Sequence, residues 1–420
     1  MNLREAERHL LSLELFGMRF GLDRMRRLLT ALGSPQERFD VIHVVGTNGK
    51  SSTVRMTAAI LRRHGLRVGA YLSPHLVSFT ERVRIDDADV AGPEFAGAVE
   101  RAAAAAGKVE RTLEEGDRVT QFELLTAAAF DLFARAGVDV AVVEAGLGGR
   151  FDATNVSTRS RVQALTNVGL EHTRWLGPTV RDIAAEKLAV VREGATLVVG
   201  AHPHPDAARL ARAVAAERGA RLVEAPSDPG AGVKILARGG FQRRNFALAA
   251  ETARAYLGRL DEQAVHAAAA STLVPGRLEL IPSPPGAADT LLDGAHNPGG
   301  MAALAEALQG EEGLAGRRLC ACVAVLDDKD AAAMLSALLP RCDAVVCTRA
   351  DTPRALPPAT LASLCGQLGF DGPVEVEADP RRALERARDL AGPDGVALAT
   401  GSIYLIADLV RPAGAARSIL

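Results

Sequence analysis

The chain has 420 residues, of which 48% are hydrophobic and 24% are charged, as expected for a globular protein of two or three domains. Its 49 basic and 51 acidic side chains leave a formal net charge of −2, which gives no indication of a nucleic-acid or membrane partner. The N-terminus MNLREAERHL lacks the apolar core of a signal peptide, and no apolar run approaches the ~20 residues of a membrane span. We therefore expect a cytoplasmic protein.

A strand, a glycine turn and a helix follow one another in the first part of the chain. Residues 41–45 (VIHVV) are rich in β-branched side chains and predict a buried strand. The turn 46–49 (GTNG) comes next, and a helix is predicted from Lys50 to about residue 64. The glycine-freed backbone amides, the helix dipole and the Lys50 ammonium would attract phosphate, and Ser51 is placed to bind Mg²⁺.

This turn is a shortened form of the phosphate-loop pattern. The full pattern has a glycine five residues before Gly49, and that position is Val44, so only GxxGKS remains. An ordinary tight turn between a strand and a helix is the alternative for this stretch alone. The rest of the chain has to distinguish the two.

Strands and helices alternate after the turn. Further strands are predicted at residues 66–72, 138–143, 161–168 and 196–200, and helices at 120–133, 179–191 and 245–257. The alanine-rich residues 94–118 predict a solvated helix and loop, and residues 201–244 predict a loose region with one short strand at 233–236. This alternation is typical of a doubly wound α/β fold with a parallel sheet and a site at the carboxyl edge of its strands.

A second α/β unit is predicted after residues 275–286, the most linker-like segment of the chain. Its strands are expected at residues 290–293, 319–325, 344–347, 374–377 and 396–399, with a last helix at 402–410. We therefore expect two domains, residues 1–275 and 276–420, with their boundary inside 275–286. The five cysteines are odd in number and form no CxxC pair, so buried thiols are expected rather than disulfides or a zinc site.

Polar side chains stand where the predicted strands end. Glu144 closes an apolar strand, where a carboxylate is costly unless it faces a cleft or a cation, and phosphate-loop enzymes hold Mg²⁺ with such a residue. His172 follows the next strand, beside Glu171, which we expect to be solvated. A solvated carboxylate and a structural histidine are the alternatives, but the alignment of Ser51, Glu144 and His172 along one sheet edge favours a metal site.

Lys187 interrupts an apolar helix face. On a helix that begins near Thr179, Lys187 shares one side with Ile183 and Val190, so its amine is either buried or reaches solvent past its neighbours. If the amine is buried, its pKa falls and the neutral form becomes reactive.

A similar polar group follows the first strand of the second unit. It contains Asp293 and His296, and Pro298 is expected to be the first residue of a helix. A turn with a helix cap is the alternative function of these side chains. Residues 327–330 (DDKD) repeat the pattern one strand later and could equally be solvated.

Ten motifs in a single order resemble the folylpolyglutamate synthase and dihydrofolate synthase family, within the Mur ligase superfamily. They are LFGMRFGLDRM, HVVGTNGKSS, LSPHL, TQFELLTAAAF, VVEAGLGGRFDATN, LTNVGLEHTRWLGPTVRDIAAEK, PGRLE, LLDGAHNPGG, VLDDKD and GSIYL. The resemblance implies an N-terminal mononucleotide-binding ATPase domain with a parallel sheet, joined to a smaller Rossmann-like α/β C-terminal domain. It also implies ATP and Mg²⁺ as cofactors, and dihydropteroate or folates and L-glutamate as substrates.

The resemblance further assigns roles to residues by position. The nucleotide would be bound by Asn48, Gly49, Lys50, Ser51, Ser52, Asn245, Arg277, Asp293 and His296. The Mg²⁺ ligands would be Ser73, Glu144 and His172, and Lys187 would be the carbamylated lysine, so that Lys50, His172 and Lys187 are the expected catalytic residues. The pterin substrate would contact Thr120, Gln121, Phe122, Glu123, Phe151, Asp152 and Ala153.

One residue departs from the family pattern. Folate members usually have glycine after the loop lysine, whereas this chain has Ser51, which is closer to the peptidoglycan Mur enzymes. Ser51 and Ser52 are therefore both candidates to approach the metal. A peptidoglycan ligase is disfavoured, because those enzymes carry a UDP-sugar-binding domain ahead of the loop and 45 residues cannot hold one.

The implied reaction is ATP-dependent amide formation. A substrate carboxylate attacks the γ-phosphate of ATP to give an acyl phosphate, and the α-amine of glutamate then displaces phosphate. We expect both dihydrofolate synthase and folylpolyglutamate synthase activities. The alternatives are tail extension alone, another Mur-type ligase, and a phosphate-loop ATPase without ligase activity.

Overall fold

A computed structural model describes residues 1–14, 21–284, 286–311, 313–314 and 316–412. The chain forms two compact units, one made of Met1–Lys234 and Arg244–Thr272 and the other of Ile235–Arg243 and Leu273–Leu420. Most of the first family motif falls on residues 15–20 and so lies outside the described residues. No helix in the described part of the chain is long and apolar enough to cross a membrane.

The first unit is built on a sheet that has eight strands within the described residues. In chain order they are β1 (Asp40–Val45), β2 (Val68–Tyr71), β3 (Val83–Ile85), β4 (Ala88–Asp89), β5 (Val140–Glu144), β6 (Ser160–Leu165), β7 (Thr196–Val199) and β8 (Arg221–Glu224). Their order across the sheet is β4-β3-β2-β5-β1-β6-β7-β8. The pairings from β2 to β8 are parallel, and β3 and β4 add an antiparallel edge.

Helices connect these strands. They are α1 (Leu3–Ser12), α2 (Asp23–Ala31), α3 (Lys50–Arg63), α4 (Gly92–Glu110), α5 (Gln121–Ala136), α6 (Thr173–Leu176), α7 (Val180–Leu188), α8 (Pro205–Glu217), α9 (Gly240–Leu257) and α10 (Glu262–Ser271). Capping boxes fix where α5 and α7 begin. Thr120 caps α5 and Thr179 caps α7, each with an acidic residue at the third helical position.

The central strands bring their carboxyl ends together. The register pairs Val44 of β1 with Glu144 of β5, and it pairs Val45 of β1 with Leu165 of β6. Strands β1 and β5 are buried almost along their whole length, as their β-branched composition predicts. The loops that follow β1, β5 and β6 therefore leave the same edge of the sheet, which is where the sequence places most of its polar motifs.

Within residues 94–118, the loop 111–118 is largely exposed as predicted, but the prediction that the helix, α4, is solvated was wrong. Ala98, Ala102 and Ala105 are among its buried residues, and the helix packs against α1, α2 and α5. Small side chains let these helices approach closely, so that alanine methyl groups supply the apolar face which larger residues usually supply. Its Arg101 donates a hydrogen bond to the buried Asp131 of α5 at 2.8 Å.

Residues 201–244 were also predicted wrongly. They contain the helix α8, whose buried stripe is only Ala207, Ala211 and Ala215, and the edge strand β8. The predicted strand at 233–236 is not present, because those residues form a loop. Alanines four residues apart mark one helix face as clearly as leucines would, but they give a weak hydrophobic signal.

The second unit contains another, mostly parallel sheet. Its strands are β9 (Glu279–Ile281), β10 (Asp289–Leu292), β11 (Leu319–Val323), β12 (Ala344–Cys347), β13 (Val374–Val376) and β14 (Val396–Thr400), in the order β13-β12-β11-β14-β10-β9 with β9 antiparallel. Its remaining helices are α11 (Pro298–Gly310), α12 (Ala331–Leu338), α13 (Pro358–Gln367), α14 (Pro380–Ala391) and α15 (Ile403–Val410). The five cysteines are free thiols and four of them are buried, as expected.

The packing of α4 generates a prediction about stability. Ala102 is fully buried and Ala104, two residues along the same helix, is exposed. Ala102→Glu should lower the free energy of unfolding by at least about 2 kcal/mol, because it buries a carboxylate among apolar groups. Ala104→Glu, the matched control, should change it by less than about 0.5 kcal/mol. Urea unfolding followed by circular dichroism measures both, and equal effects would contradict the packing.

Candidate functional site

The turn after β1 is held in shape by the segment that follows β6. Gly46 has φ +151°, and a Cβ atom there would overlap the Thr166 hydroxyl, so only glycine fits. The amide of Thr47 donates to the carbonyl of Asn167 at 2.9 Å, and the amide of Asn48 donates to the side-chain oxygen of Asn167 at the same distance. The loop is therefore clamped to the neighbouring strand end.

Lys50 begins α3 and folds back over this loop. Its Nζ donates to the carbonyl oxygens of Gly46 at 3.2 Å and Thr47 at 3.1 Å. Gly49 has φ +83°, and a Cβ atom there would lie 2.5 Å from Oδ1 of Asn245, so the Asn245 side chain rests against the loop. A cation and a helix N-terminus thus meet at one turn, which is the arrangement that binds phosphate oxygens.

Glu144 lies beside the start of α3. Its carboxylate accepts a hydrogen bond from the Ser51 hydroxyl at 3.0 Å and another from the amide of Ser73 at 3.2 Å. Ser52 is buried. Of the two serines that follow the loop lysine, the structure thus places Ser51 at the carboxylate.

The donor atoms here suit a hard divalent cation. Mg²⁺ takes oxygen ligands, and it is commonly held by one or two carboxylates while phosphates and waters complete its shell. The Glu144 carboxylate and the Ser51 hydroxyl fit that description. In the described ranges there is no group of three or more His, Cys, Asp or Glu side chains that could hold a metal, so phosphate oxygens would have to share the coordination.

His172 follows β6 at the same sheet edge. It has a left-handed backbone conformation, with φ +51°, at the start of α6, and its side chain is 37% exposed. Its Nε2 lies 3.8 Å from a carboxylate oxygen of Glu171. Glu171 is buried, so the expectation that it is solvated was wrong.

Lys187 is buried and points at the phosphate loop. Its Nζ donates to the carbonyl oxygen of Gly46 at 2.7 Å, and the residue is only 3% exposed, so the amine does not reach solvent. Burial, and next the charge of Lys50, lower the pKa of Lys187 to about 7, although Glu171 and Asp152 act in the opposite direction. A large fraction of this amine is therefore neutral near neutral pH.

The segment 145–155, which we call the glycine loop, leaves β5 after Glu144 and needs its glycines for close contacts. A Cβ atom at Gly146 would lie 2.6 Å from the ring of Phe122, and one at Gly149 would lie 2.8 Å from the carbonyl oxygen of Glu186. The first contact packs the loop on α5, and the second packs it on α7 next to Lys187. The loop thus connects the carboxylate at the end of β5 to the amine on α7.

Asp152 is the centre of the glycine loop. Its carboxylate accepts hydrogen bonds from the amide of Leu147 at 2.8 Å, the amide of Thr154 at 3.0 Å and the hydroxyl of Thr154. Burial raises the pKa of Asp152 above its ordinary value, and these hydrogen bonds oppose that shift. Ala153 is buried, whereas the Phe151 side chain beside it is 45% exposed.

Three of the four predicted pterin contacts at the start of α5 make structural contacts. Glu123 accepts from the amide and hydroxyl of Thr120, and Gln121 donates to the carbonyl oxygen of Leu10 at 2.9 Å. Glu123 also forms an ion pair of 2.7 Å with Arg24. Phe122 differs from them, since its ring packs near Tyr71 with a centroid separation of 6.0 Å and is only partly buried.

Sequence reasoning missed Asn167 and Arg24. Asn167 had a usable signal, because it is a polar residue near the end of the strand predicted at 161–168, as Glu144 is at the end of another. Arg24 had none, since an arginine on an amphipathic helix is usually solvated, and its partners Asp117 and Glu123 are distant in sequence.

The polar residues of the second unit form a cluster within that unit. Asp293 is buried and accepts from the amides of Leu278 and Ala295, both at 2.8 Å, and burial raises the pKa of its carboxyl group. A Cβ atom at Gly294 would overlap the guanidinium of Arg277, and His296 donates from Nδ1 to the carbonyl of Gly294 at 2.9 Å.

The end of this cluster starts a helix. Asn297 caps α11 by accepting from the amide of Gly300 at 2.8 Å, and Pro298 is the first helical residue, as predicted. In the DDKD segment, Asp328 forms ion pairs with Arg354 at 2.7 Å and with Lys329 at 3.4 Å.

Comparison with known proteins identifies the family. Residues 276–403 match the family described as Mur ligase, glutamate ligase domain. A Haloferax volcanii protein named as a probable bifunctional folylpolyglutamate synthase/dihydropteroate synthase is 36% identical over 97% of this chain, which spans only half of that relative's length. A Mycobacterium tuberculosis dihydrofolate synthase/folylpolyglutamate synthase is 33% identical over 95% of this chain and 89% of its own.

Solved structures agree with this result. The M. tuberculosis folylpolyglutamate synthase complexed with ADP superposes with a TM-score of 0.88 and 32% identity, over 96% of each chain. A bifunctional folylpolyglutamate synthase/dihydrofolate synthase from Yersinia pestis, complexed with AMPPNP and a Mn ion, gives a TM-score of 0.84 at 30% identity over 97% of each chain. The motifs, the fold and the relatives therefore agree that this chain belongs to the dihydrofolate synthase/folylpolyglutamate synthase family of Mur-type ligases.

Proposed function

We propose that this protein is an ATP-dependent ligase that adds L-glutamate to dihydropteroate and to the glutamate tail of folates. The observation that carries the proposal is the phosphate loop, where Lys50, the Ser51–Glu144 pair and the buried amine of Lys187 meet. A nucleotide switch would need the loop and the metal carboxylate, but it has no need for a reactive amine beside them. The first unit would be the ATP-binding domain, and the second unit would contain the C-terminal ligase domain.

In the first step, the chain's own groups hold the nucleotide. The amides of the 46–49 turn and the N-terminus of α3 would bind phosphate oxygens, and the Lys50 ammonium would neutralise charge as the γ-phosphate moves to the acceptor carboxylate. Glu144, with Ser51, Ser73 and His172 near the same edge, would hold Mg²⁺. When bound, this ion supplies further neutralisation of phosphate charge.

The acceptor acid would lie along the glycine loop. Phe122 is partly buried and Phe151 is exposed, so both offer apolar surface to a pterin ring. Asp152 would accept from a ring N–H group in addition to the three hydrogen bonds that it accepts within the loop. In the second step, the neutral α-amine of glutamate attacks the acyl carbon and phosphate leaves.

Several finer assignments belong to the same proposal. We infer that Lys187 carries a carbamate in the active protein, since a large fraction of its amine is neutral near pH 7 and a carbamate anion would attract the Lys50 ammonium. The nucleotide would also be bound by Asn48, Gly49, Ser52, Asn245, Arg277, Asp293 and His296. The pterin site would also be formed by Thr120, Gln121, Glu123 and Ala153. A cytoplasmic monomer without a nucleic-acid partner fits a small-molecule ligase.

The choice of acceptor is tested by offering the two acids separately. Dihydropteroate and a reduced folate monoglutamate are each incubated with Mg-ATP and glutamate, and ADP and the amide product are measured. Both should turn over, with one ADP per amide. Turnover of the folate alone would reduce the protein to a tail-extending synthase, and ADP formation without either amide would support an ATPase instead.

Removal of the loop lysine should abolish the first step. Lys50→Ala should lower ADP formation by at least about 100-fold, because it removes transition-state charge. The variant should stay folded, since the Lys50 ammonium contacts only loop carbonyls and fills no core space. Arg62→Ala, on the exposed face at the other end of α3, is the control and should keep its activity. Substantial turnover by the Lys50 variant at saturating Mg-ATP would contradict the assignment of the ATP site.

The carbamate predicts chemical rescue. Lys187→Ala should lose at least about tenfold in activity, and acetate or formate should restore part of it by supplying a carboxylate in the vacated space. Lys50→Ala should gain nothing from the same anions. A Lys187→Ala variant that is as active as the parent, or one that is indifferent to short carboxylates, would rule the carbamate out.

The pKa of Lys187 also predicts a dependence on pH. Only the neutral amine reacts with CO₂, and its fraction grows as the pH rises through about 7. Activation of the bicarbonate-depleted parent by added bicarbonate should therefore be greater at about pH 8 than at about pH 6. Equal activation at both values would contradict a neutral-amine mechanism.

A further inference from the structure

His43 occupies an unusual position on the central strand of the first unit. Residues 41, 43 and 45 project from one face of β1. Val41 belongs to the apolar core beneath α5, and Val45 belongs to the core beneath α7. His43 lies between them and is 1% exposed, which leaves a polar ring where an apolar side chain would be expected.

The ring of His43 is neutral. Burial, with a smaller contribution from the charge of Arg192, lowers the pKa of His43 to about 3. The group is therefore uncharged at any pH at which the protein would work, and its role must depend on hydrogen bonding rather than on titration.

A hydrogen-bond chain connects this ring to the glycine loop. Nε2 of His43 lies 2.8 Å from Oγ1 of Thr154, and the Thr154 hydroxyl donates to the carboxylate of Asp152. A hydroxyl has a single proton, so Oγ1 accepts from His43 and the imidazole carries its proton on Nε2. The direction of both hydrogen bonds follows from the Asp152 carboxylate, which can only accept.

The hydrogen bonds of His43 and Thr154 hold Asp152, the residue that ties the glycine loop together. The Asp152 carboxylate joins the amide of Leu147, near the beginning of the glycine loop, to the amide of Thr154, near its end. The hydroxyl of Thr154 adds a third bond and anchors the carboxylate to β1 through His43. Phe151 precedes Asp152, so the same anchor sets where the exposed aromatic ring stands.

We propose that His43 and Thr154 are positioning residues for the acceptor acid, fixing Asp152 and the glycine loop in the conformation that binds the pterin. This inference rests on the proposed function. It predicts an effect on the acceptor acid and not on ATP, although β1 leads directly into the phosphate loop. The phosphate loop is held instead by Asn167 and Thr166, which take no part in the hydrogen bonds between His43, Thr154 and Asp152.

The test replaces Thr154, the middle residue of the hydrogen-bond chain. Thr154→Val keeps the shape of the side chain and removes the hydroxyl, whereas Thr154→Ser keeps the hydroxyl. The valine variant should raise the KM for dihydropteroate at least tenfold, with the KM for ATP changed less than twofold, and the serine variant should resemble the parent. His43→Leu should reproduce the effect of Thr154→Val, and the double variant should be no worse than either single one.

Two controls separate the outcomes. Thermal unfolding of each variant checks that it is folded. An NMR spectrum of the parent should show a slowly exchanging Nε2–H proton of His43, which reports the hydrogen bond to Thr154 without an activity assay. Equal changes in the KM for ATP and dihydropteroate, no change in either, or additive effects in the double variant would overturn the inference alone. A parent that turns over neither pterin acid would overturn the proposed function and the inference with it.

Discussion

The carbonyl oxygen of Gly46 is the point on which the site depends. It accepts from Lys187 at 2.7 Å and from Lys50 at 3.2 Å, so two amines share one acceptor. Burial of the Lys187 amine, and next the positive charge of Lys50, lower the pKa of Lys187 to about 7. One peptide carbonyl thus holds both amines, and we propose that Lys50 binds phosphate as a cation while Lys187 reacts as a neutral amine.

Glycine makes this arrangement possible. Gly46 permits the turn against Thr166, and Gly146 and Gly149 let the glycine loop touch both the Phe122 ring and the backbone of α7. Glu144 directly precedes that loop, and the loop packs on α7 beside Lys187. The proposed sites for phosphate, metal and acceptor would therefore lie on short loops at one edge of the sheet.

Periodicity and strand ends were sufficient to predict most of this arrangement. Strand β1, the loop at Lys50, Glu144 at the end of β5 and the start of α7 all have local signals, and the structure has them where the sequence indicates. The failures at α4 and α8 share a physical cause, because both helices bury faces made largely of alanine, whose small apolar area resembles a solvated surface. Partners distant in sequence, such as Arg24 with Glu123 or His43 with Thr154, leave no local pattern at all.

The central claim is that ATP phosphorylates the acceptor carboxylate before glutamate attacks it. Dihydropteroate labelled with ¹⁸O in both carboxylate oxygens tests this directly, because the acyl phosphate transfers one of them to the departing phosphate. Mass spectrometry of the products should find one ¹⁸O in inorganic phosphate and one in the new amide for each turnover. Inorganic phosphate free of ¹⁸O, formed together with the amide, would contradict the account.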